Sequence, residues 1–316
     1  MQRCDDLDVV ALQAPGLDPW RFDRRVLWDQ VLLPLAATRA RVDVLHCAAG
    51  TLPLVATAPI VATVHDVAWL RAQAHARFYA RAYFGAFQLT RYRRARRIIV
   101  DSQFSRDELL SLGGFDPARI AVVYPGVASD IGNLRRAPDA QPFALAVGTV
   151  ERRKNLALVV RALANVPDLR LLSVGPPTTY WNECLTVARE LGVAERVKLR
   201  GYVPRQELLG LYAAATVVVA PSRYEGFGYS VAQARCAGVP FLAAHASSLP
   251  EVAEDAGGLL PVDDVAAWSD ALRALVTARD VAEARAAADR PRAIARFDWN
   301  AAAGEVARTY RAVAQR

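Results

Sequence analysis

Arg153-Lys154-Asn155 and Glu225-Gly226-Phe227-Gly228 are the two stretches whose residue types and setting can do chemistry on an anion. Each follows an apolar run, at residues 143–147 and 216–220, and each opens a helical segment, at 156–163 and 230–236. In a parallel sheet the turn from strand to helix lies in the crevice beyond the carboxyl ends of the strands, where ligands bind. The first stretch should place two cations there, with Lys154 meeting a phosphate oxygen as a compact point charge. Positive charge at a helix start opposes the helix dipole, so stability alone does not call for it. The second brings a carboxylate, Glu225, and a glycine turn whose N–H groups, at a helix N-terminus, can receive an anion. The plain alternatives are a solvated charge cluster and an ordinary helix-start carboxylate.

Other candidates are less specific. His65-Asp66 closes the apolar run at 60–64 and reads either as a general acid/base pair or as a strand-end histidine satisfied by its neighbours. Gly201-Tyr202-Val203-Pro204 follows a strand-like run and fits an ordinary turn as well as a ligand contact. From Arg71 to Arg97 there are eight arginines and no acidic residue, with Phe78, Tyr79, Tyr83, Phe84, Phe87 and Tyr92 largely at helical spacing. Either the aromatics pack inward beneath solvated arginines, or the segment docks on an anionic lipid surface. Cys4, Cys47, Cys184 and Cys236 are far apart and have no metal-ligand spacing, so reduced, partly buried thiols are expected.

Positioning these residues takes two alternations of strand and helix. Strand-like runs at 9–12, 42–46, 60–65, 97–101 and 120–124 alternate with helical stretches at 21–39, 72–94 and 105–112. A second series, at 143–147, 169–174, 196–199, 216–220, 240–244 and 258–260, alternates with helices at 156–163, 180–191, 206–213 and 230–236. The expected fold is α/β, with an N-terminal Rossmann-like domain at 1–135, a C-terminal one at 136–298, and a linker over the turn-rich stretch 128–141. The tail from 264 is alanine-rich and helical by propensity, interrupted at Pro291 and restarted after Asp298-Trp299-Asn300. With 316 residues, 53% of them hydrophobic, the chain can bury two cores and is too apolar to be disordered. It has no uncharged apolar run long enough to cross a membrane and no apolar segment at its start, so a cytoplasmic location is expected. The net charge is +7, but all 39 basic residues except Lys154 and Lys198 are arginine, and no nucleic-acid-binding module accompanies them. A nucleic-acid partner is therefore not expected.

The motifs, in their order, resemble the family-four retaining glycosyltransferases of the GT-B fold, and the mannosyltransferases among them. The resemblance rests on the Glu225 stretch with Ser247-Ser248-Leu249-Pro250-Glu251-Val252, on Gly148-Thr149-Val150-Glu151-Arg152-Arg153-Lys154-Asn155, on Gly201-Tyr202-Val203-Pro204, on His65-Asp66 and on Tyr124-Pro125-Gly126-Val127. It covers nearly the whole chain. It implies two Rossmann-like domains facing a cleft, with the last helix, 299–316, crossing back to the first. In the implied donor site, Gly148, Arg153 and Lys154 hold the diphosphate of a GDP- or UDP-linked sugar without a metal or other cofactor. Tyr202 and Val203 lie near the base, Glu225 accepts from hydroxyls of the transferred sugar, Gly226, Phe227 and Gly228 offer N–H groups, and His65 faces that sugar. The implied reaction moves a hexose, mannose or glucose, with retention to a hydroxyl of a glycan or lipid-linked acceptor, as in polysaccharide biosynthesis, with the leaving phosphate assisting and no protein nucleophile. The implied place is the cytoplasm or the inner face of the cell membrane.

Two features depart from that pattern. The second acidic position of the Glu225 motif is Gln233, whose amide oxygen accepts from ribose hydroxyls with less charge assistance, by on the order of 1 kcal/mol. Restoring a carboxylate there is expected to tighten donor binding. The chain also opens at Asp5-Asp6-Leu7-Asp8-Val9-Val10 without a glycine-rich loop, as if it began at about the second βα unit. A non-catalytic glycosyltransferase-like partner subunit, or a GT-B epimerase or phosphorylase, would share the remaining features.

Overall fold

The structure, a computed structural model, describes residues 7–13, 16–18, 21–68, 79 and 82–315. It divides into two compact units, Met1–Pro125 with Asn300–Arg316, and Gly126–Trp299, each built on one parallel sheet.

In the first unit the order is β1 (Leu45–Cys47), β2 (Ile60–Val64), β3 (Arg97–Val100), β4 (Ile120–Val122), all parallel. The runs are continuously apolar because both faces are covered, as parallel sheets require. Alternate residues serve opposite cores: Ala62, Val64, Ile98 and Val100 join Leu33 and Leu109 on one face, whereas Val61 and Ile99 meet Ala302 and Val313 of the last helix, Trp299–Ala314, on the other. That helix is tied to β1 by His46, whose Nδ1 lies 2.5 Å from the Tyr310 hydroxyl.

The expected strand at 9–12 does not form: Val9 and Val10 are exposed, and no described strand pairs with them. An extended run gains little without a neighbouring ladder. The expected helix at 21–39 is interrupted by a π-helical turn, Trp28–Leu32, that buries Asp29 against Arg25 at 2.9 Å. The start of the segment expected to be helical at 72–94, residues 72–78 (Phe78 included) with 80 and 81, lies outside the described residues, as do Arg71 and Cys4. Among its described aromatics Tyr79 is exposed, whereas Tyr83 stacks on Phe87 at 5.4 Å, Phe84 packs edge-on to Phe22, and Tyr92 is buried with its hydroxyl donating to the Gly50 carbonyl. Arg91 lies over Phe87, and Arg93 donates to the carbonyls of Leu112 and Gly113.

The second unit has six parallel strands in the order β10-β9-β8-β5-β6-β7, namely β5 (Phe143–Val147), β6 (Arg170–Val174), β7 (Val197–Leu199), β8 (Val217–Ala220), β9 (Phe241–Ala244) and β10 (Leu259–Leu260). The chain starts in the middle, winds outward through β6 and β7, then returns to the other side of β5 for β8, β9 and β10. The winding direction therefore reverses between β5 and β8, where Ala144 and Leu145 pair with Val217 and Val218.

Three expectations need correction here. Residues 128–141 are not a linker: Ser129–Gly132 is a helical turn with Ile131 fully buried, and Arg136 donates to the carbonyls of Tyr212, Ala213 and Ala215 at 2.7–2.8 Å. The division between the units consequently falls at Pro125 and Gly126, ahead of that stretch, and again after Trp299. Pro291 does not interrupt its helix, which runs Arg279–Arg296; side chains on both sides of it are anchored, Arg290 to the Gly132 carbonyl at 2.6 Å and Arg296 to Glu254 at 2.9 Å. The three described cysteines are free, buried thiols, and burial pushes Cys184 up to about 11 and Cys236 to about 12.

Gly126 opens the second unit and Trp299 closes it, side by side. The Val127 N–H donates to the Phe297 carbonyl at 2.8 Å, and a Cβ on Gly126 would fall 2.5 Å from the Trp299 ring and 2.7 Å from its Cα. Gly126→Ala is expected to cost about 1–3 kcal/mol through this overpacking. Gly210→Ala, in the open face of the helix Arg205–Ala214 with nothing within 4 Å, should leave stability unchanged or raise it. Urea denaturation of the two variants measures the contrast.

Candidate functional site

The reversal between β5 and β8 opens a crevice at their carboxyl ends, because the helices that follow the two strands leave on opposite sides of the sheet. From β5 the chain passes Gly148, in a conformation with φ of +128°, to a 3₁₀ turn Arg152–Lys154. Asn155, left-handed at φ 53°, then starts the helix Leu156–Leu163. From β8 it passes Ser222 and Glu225 to Gly228, left-handed at φ 96°, which starts the helix Tyr229–Ala237. Both loops meet in the crevice. A small cavity of about 30 Å³ there is lined by Gly148, Thr149, Lys154, Ser222, Glu225 and Ser230.

Lys154 and Glu225 span this cavity, with Nζ 2.5 Å from Oε1, while Arg153 reaches Oε2 at 3.3 Å and the Tyr224 carbonyl at 3.1 Å. Arg153 also pairs with Glu151 at 2.7 Å. The Glu225 side chain is 9% exposed. Burial pushes its carboxyl up, but the charges of Lys154 and Arg153, with hydrogen bonds from Lys154 and Ser222, outweigh burial and hold it below the usual carboxylate range. Ser222 Oγ donates to Oε1 at 2.7 Å. The backbone is fixed as firmly: the Glu225 N–H donates to Ser247 Oγ at 2.9 Å, and Ser248 Oγ donates to the Glu225 carbonyl at 2.9 Å. Sequence reasoning placed Arg153, Lys154, Gly148 and Glu225 together, and the fold does bring them together. It missed Ser222 as a partner of the carboxylate and the two serines as a clamp, although their stretch had been noted.

Tyr202, Val203, Phe227, Gln233 and His65, also predicted, do not line this cavity. Tyr202 and Val203 follow β7, two strands from β5; Tyr202 is 88% exposed, Val203 is buried, and neither lines the cavity. Phe227 is buried, edge-on to Phe297 at 5.7 Å. Gln233 is buried on the helix after Glu225, and its Oε1 already accepts from the Tyr212 hydroxyl at 2.8 Å. That amide oxygen, expected to accept from a ligand, has a partner of its own. His65 belongs to the first unit, at the end of β2. Its Nδ1 lies 2.7 Å from Asp101 Oδ2 and its Nε2 2.9 Å from the Ala48 carbonyl. Both neighbours are acceptors, so both ring nitrogens donate and the imidazolium is favoured; the hydrogen bond to Asp101 raises its pKa most. A free general-base nitrogen, one of the expected roles, is not present in this arrangement.

Residues 4–130 match the glycosyltransferase family 4 domain, and residues 141–278 match the glycosyl transferases group 1 domain. Both halves therefore carry glycosyltransferase domains. Among curated relatives, the D-inositol 3-phosphate glycosyltransferase of Mycobacteroides abscessus is 33% identical over 70% of this chain and 53% of its own length. That of Mycolicibacterium smegmatis is 31% identical over 65% of this chain and 50% of its own. The chain thus spans about half the length of the curated relatives it matches. Among solved structures, Anabaena HepE in complex with UDP and glucose superposes with a TM-score of 0.74 at 20% identity, covering 91% of this chain and 83% of that one. Sucrose-phosphate synthase from Thermosynechococcus elongatus gives 0.73 at 21%, covering 88% and 75%. These similarities establish the GT-B fold for the glycosyltransferase domains.

Two titrations with opposite signs follow from the ion pairs. His65 has its pKa raised above 6.5 by folding, so its stabilisation is complete below 6.5 and lost as pH rises through the higher folded value. Glu225 has its pKa lowered below 4.5, so its contribution is present above 4.5 and lost as pH falls through the lower folded value. Denaturation midpoints measured from pH 3 to 9 should show Asp101→Asn flattening the alkaline limb only and Glu225→Gln the acid limb only.

Proposed function

We propose that the glycosyltransferase domains of this chain act as an enzyme that transfers a hexose from a nucleotide-diphosphate sugar, with retention, to an acceptor hydroxyl. The observation that carries the reading is the contact of Lys154 and Arg153 with Glu225 across the crevice between β5 and β8. Lys154 has Glu225 as its anionic partner, Arg153 has both Glu225 and Glu151, and the fold holds all of them. A donor diphosphate exchanges for the Glu225 carboxylate on Lys154 and Arg153, anion for anion, so its entry leaves no buried cation unpaired. Glu225, released from the cations but still held by Ser222 and clamped through its backbone by Ser247 and Ser248, then accepts from hydroxyls of the sugar.

In this arrangement the two cations oppose the charge that builds on the diphosphate as the glycosidic bond breaks, a role that needs no metal. The leaving phosphate oxygen takes the acceptor proton on the same face of the sugar, so configuration is retained and no protein nucleophile is required. The UDP and glucose bound by Anabaena HepE favour a UDP-hexose donor, glucose before mannose. The names of the mycobacterial relatives make D-inositol 3-phosphate the first acceptor to try, ahead of glycan or lipid-linked alcohols.

Calorimetry with UDP, GDP and UDP-glucose tests the donor half. Lys154→Ala and Arg153→Ala should each weaken UDP binding roughly 10- to 100-fold, the equivalent of one charge-assisted hydrogen bond, while the unliganded melting curves stay cooperative. Unchanged UDP affinity in both variants would falsify the reading.

A further inference from the structure

The amino ends of the six parallel strands lie at the opposite end of the sheet from the crevice, and at the start of β9 the second unit holds a cavity of about 330 Å³. It shares no lining residue with the crevice of Lys154 and Glu225. It lies between Pro240–Leu242 and two consecutive helices, Val265–Thr277 and Arg279–Arg296, which meet at the non-helical Ala278. On the second helix the lining positions 281, 282, 285, 286 and 289 recur at helical spacing, so one continuous face borders the cavity. The volume falls at the lower end of the roughly 300–1,000 Å³ that small-molecule sites occupy.

Three lining residues are charged, and the rest are apolar or glycine. Two of the three are paired with each other: Arg235, buried, donates to Asp289 at 2.8 and 3.0 Å and to the Val252 carbonyl at 2.6 Å, and Asp289 also accepts from Arg292. The third, Arg285, is exposed and has no hydrogen-bond or ion-pair partner among the described residues. Its guanidinium lies against the backbone of Gly257, where a Cβ would fall 2.8 Å from Nη2, so the absence of a side chain at 257 sets where the cation rests. One turn before it on the same face, Val281 is 72% exposed and brings apolar surface to the mouth. Water finds few hydrogen-bond partners in such a lining, which favours an apolar guest. The unpaired cation at the mouth favours an anionic end on that guest.

We infer that this cavity binds a fatty carboxylate, its alkyl chain between the two helices and the start of β9 and its carboxylate on Arg285. A guanidinium can meet both carboxylate oxygens through parallel N–H donors. The chain supplies most of the affinity, because each methylene taken from water is worth roughly fourfold, whereas an exposed ion pair adds little. A phosphate monoester fits less well. It would bring close to two negative charges to one free cation, with the Asp289 carboxylate one turn further along the same face. The site goes beyond the glycosyltransferase reading and does not depend on it.

Calorimetry on the full chain at neutral pH, with octanoate, decanoate and dodecanoate below micelle formation, tests the cavity. One saturable site is expected, with affinity rising roughly fourfold per methylene until the cavity is full. Arg285→Gln should weaken decanoate roughly three- to tenfold, between the worth of an exposed ion pair and that of a charge-assisted hydrogen bond. Ala282→Leu and Ala274→Leu, on separate helices, each place a larger side chain in the cavity and should abolish binding while melting stays cooperative; the second serves if the first fails to fold. Lys154→Ala, which alters only the crevice, should bind decanoate as wild type does. The absence of saturable binding, or binding that survives both leucine variants, overturns the site. Loss of decanoate in Lys154→Ala overturns it too, by moving the chain to the crevice. Decyltrimethylammonium binding as tightly as decanoate, or an unchanged affinity in Arg285→Gln, overturns the carboxylate assignment.

Discussion

The contact between Lys154 and Glu225 is the constraint around which the second unit is arranged. A carboxylate this deeply buried is stable only if nearby charges and donors outweigh its lost hydration. Here Lys154, Arg153 and Ser222 do so from two loops. Those loops follow adjacent strands, β5 and β8, that are distant in sequence, so the pair exists only because the winding of the sheet reverses between them. Its partners approach from both walls of a crevice rather than along one element.

Holding the two loops this close depends on backbone that side chains would obstruct. Gly175, at φ +140°, presses against the Gly148 carbonyl and has no room for a Cβ, and its N–H donates to the Gly201 carbonyl at 2.8 Å. Gly148, at φ +128°, lies under the end of the Lys154 side chain. Asn155 takes the left-handed conformation that turns the cationic stretch into its helix, and its amide is anchored on the Val262 carbonyl at 3.1 Å. Each of these local departures fixes the direction in which Arg153 and Lys154 point.

Much of this was legible in the sequence, for identifiable reasons. Strands buried on both faces read as unbroken apolar runs, so β5 was located to the residue and β2, β3, β8 and β9 to within one or two. Arg153, Lys154 and Glu225 stood out because charge flanked by apolar runs and glycine has few structural uses. What could not be read was whatever depends on distant partners. The apolar run at 9–12 looked like any other, but nothing described pairs with it. Residues 128–141 had the composition of a linker, yet Arg136 finds three carbonyls more than 70 residues away. Pro291 argued for a break that packing overrides. Ser222, Ser248 and Tyr212 are ordinary hydroxyl residues until the fold sets each against Glu225 or Gln233. The two partners of His65 lie 17 and 36 residues away, and only their meeting shows that neither ring nitrogen is free.

The net charge of +7 takes on a different meaning once the arginines are located. Arg196 donates to the carbonyls of Leu163, Val166 and Leu169 beyond the helix Leu156–Leu163; Arg136 does the same at the end of Arg205–Ala214, and Arg93 at the end of Gln103–Ser111. Arg235 serves the helix Leu249–Ala253 through the Val252 carbonyl, and Arg290 serves Ser129–Gly132. A planar guanidinium can take several of the carbonyls that a helix leaves unpaired at its C-terminus, where positive charge also meets the negative end of the dipole. Much of the excess charge is therefore part of the scaffold and says little about partners. A cation held by backbone carbonyls cannot leave them for a ligand without stranding them. Lys154, whose hydrogen-bond partner is the Glu225 carboxylate rather than a backbone carbonyl, is not tied into the scaffold in this way, and Arg153 beside it reaches the same carboxylate.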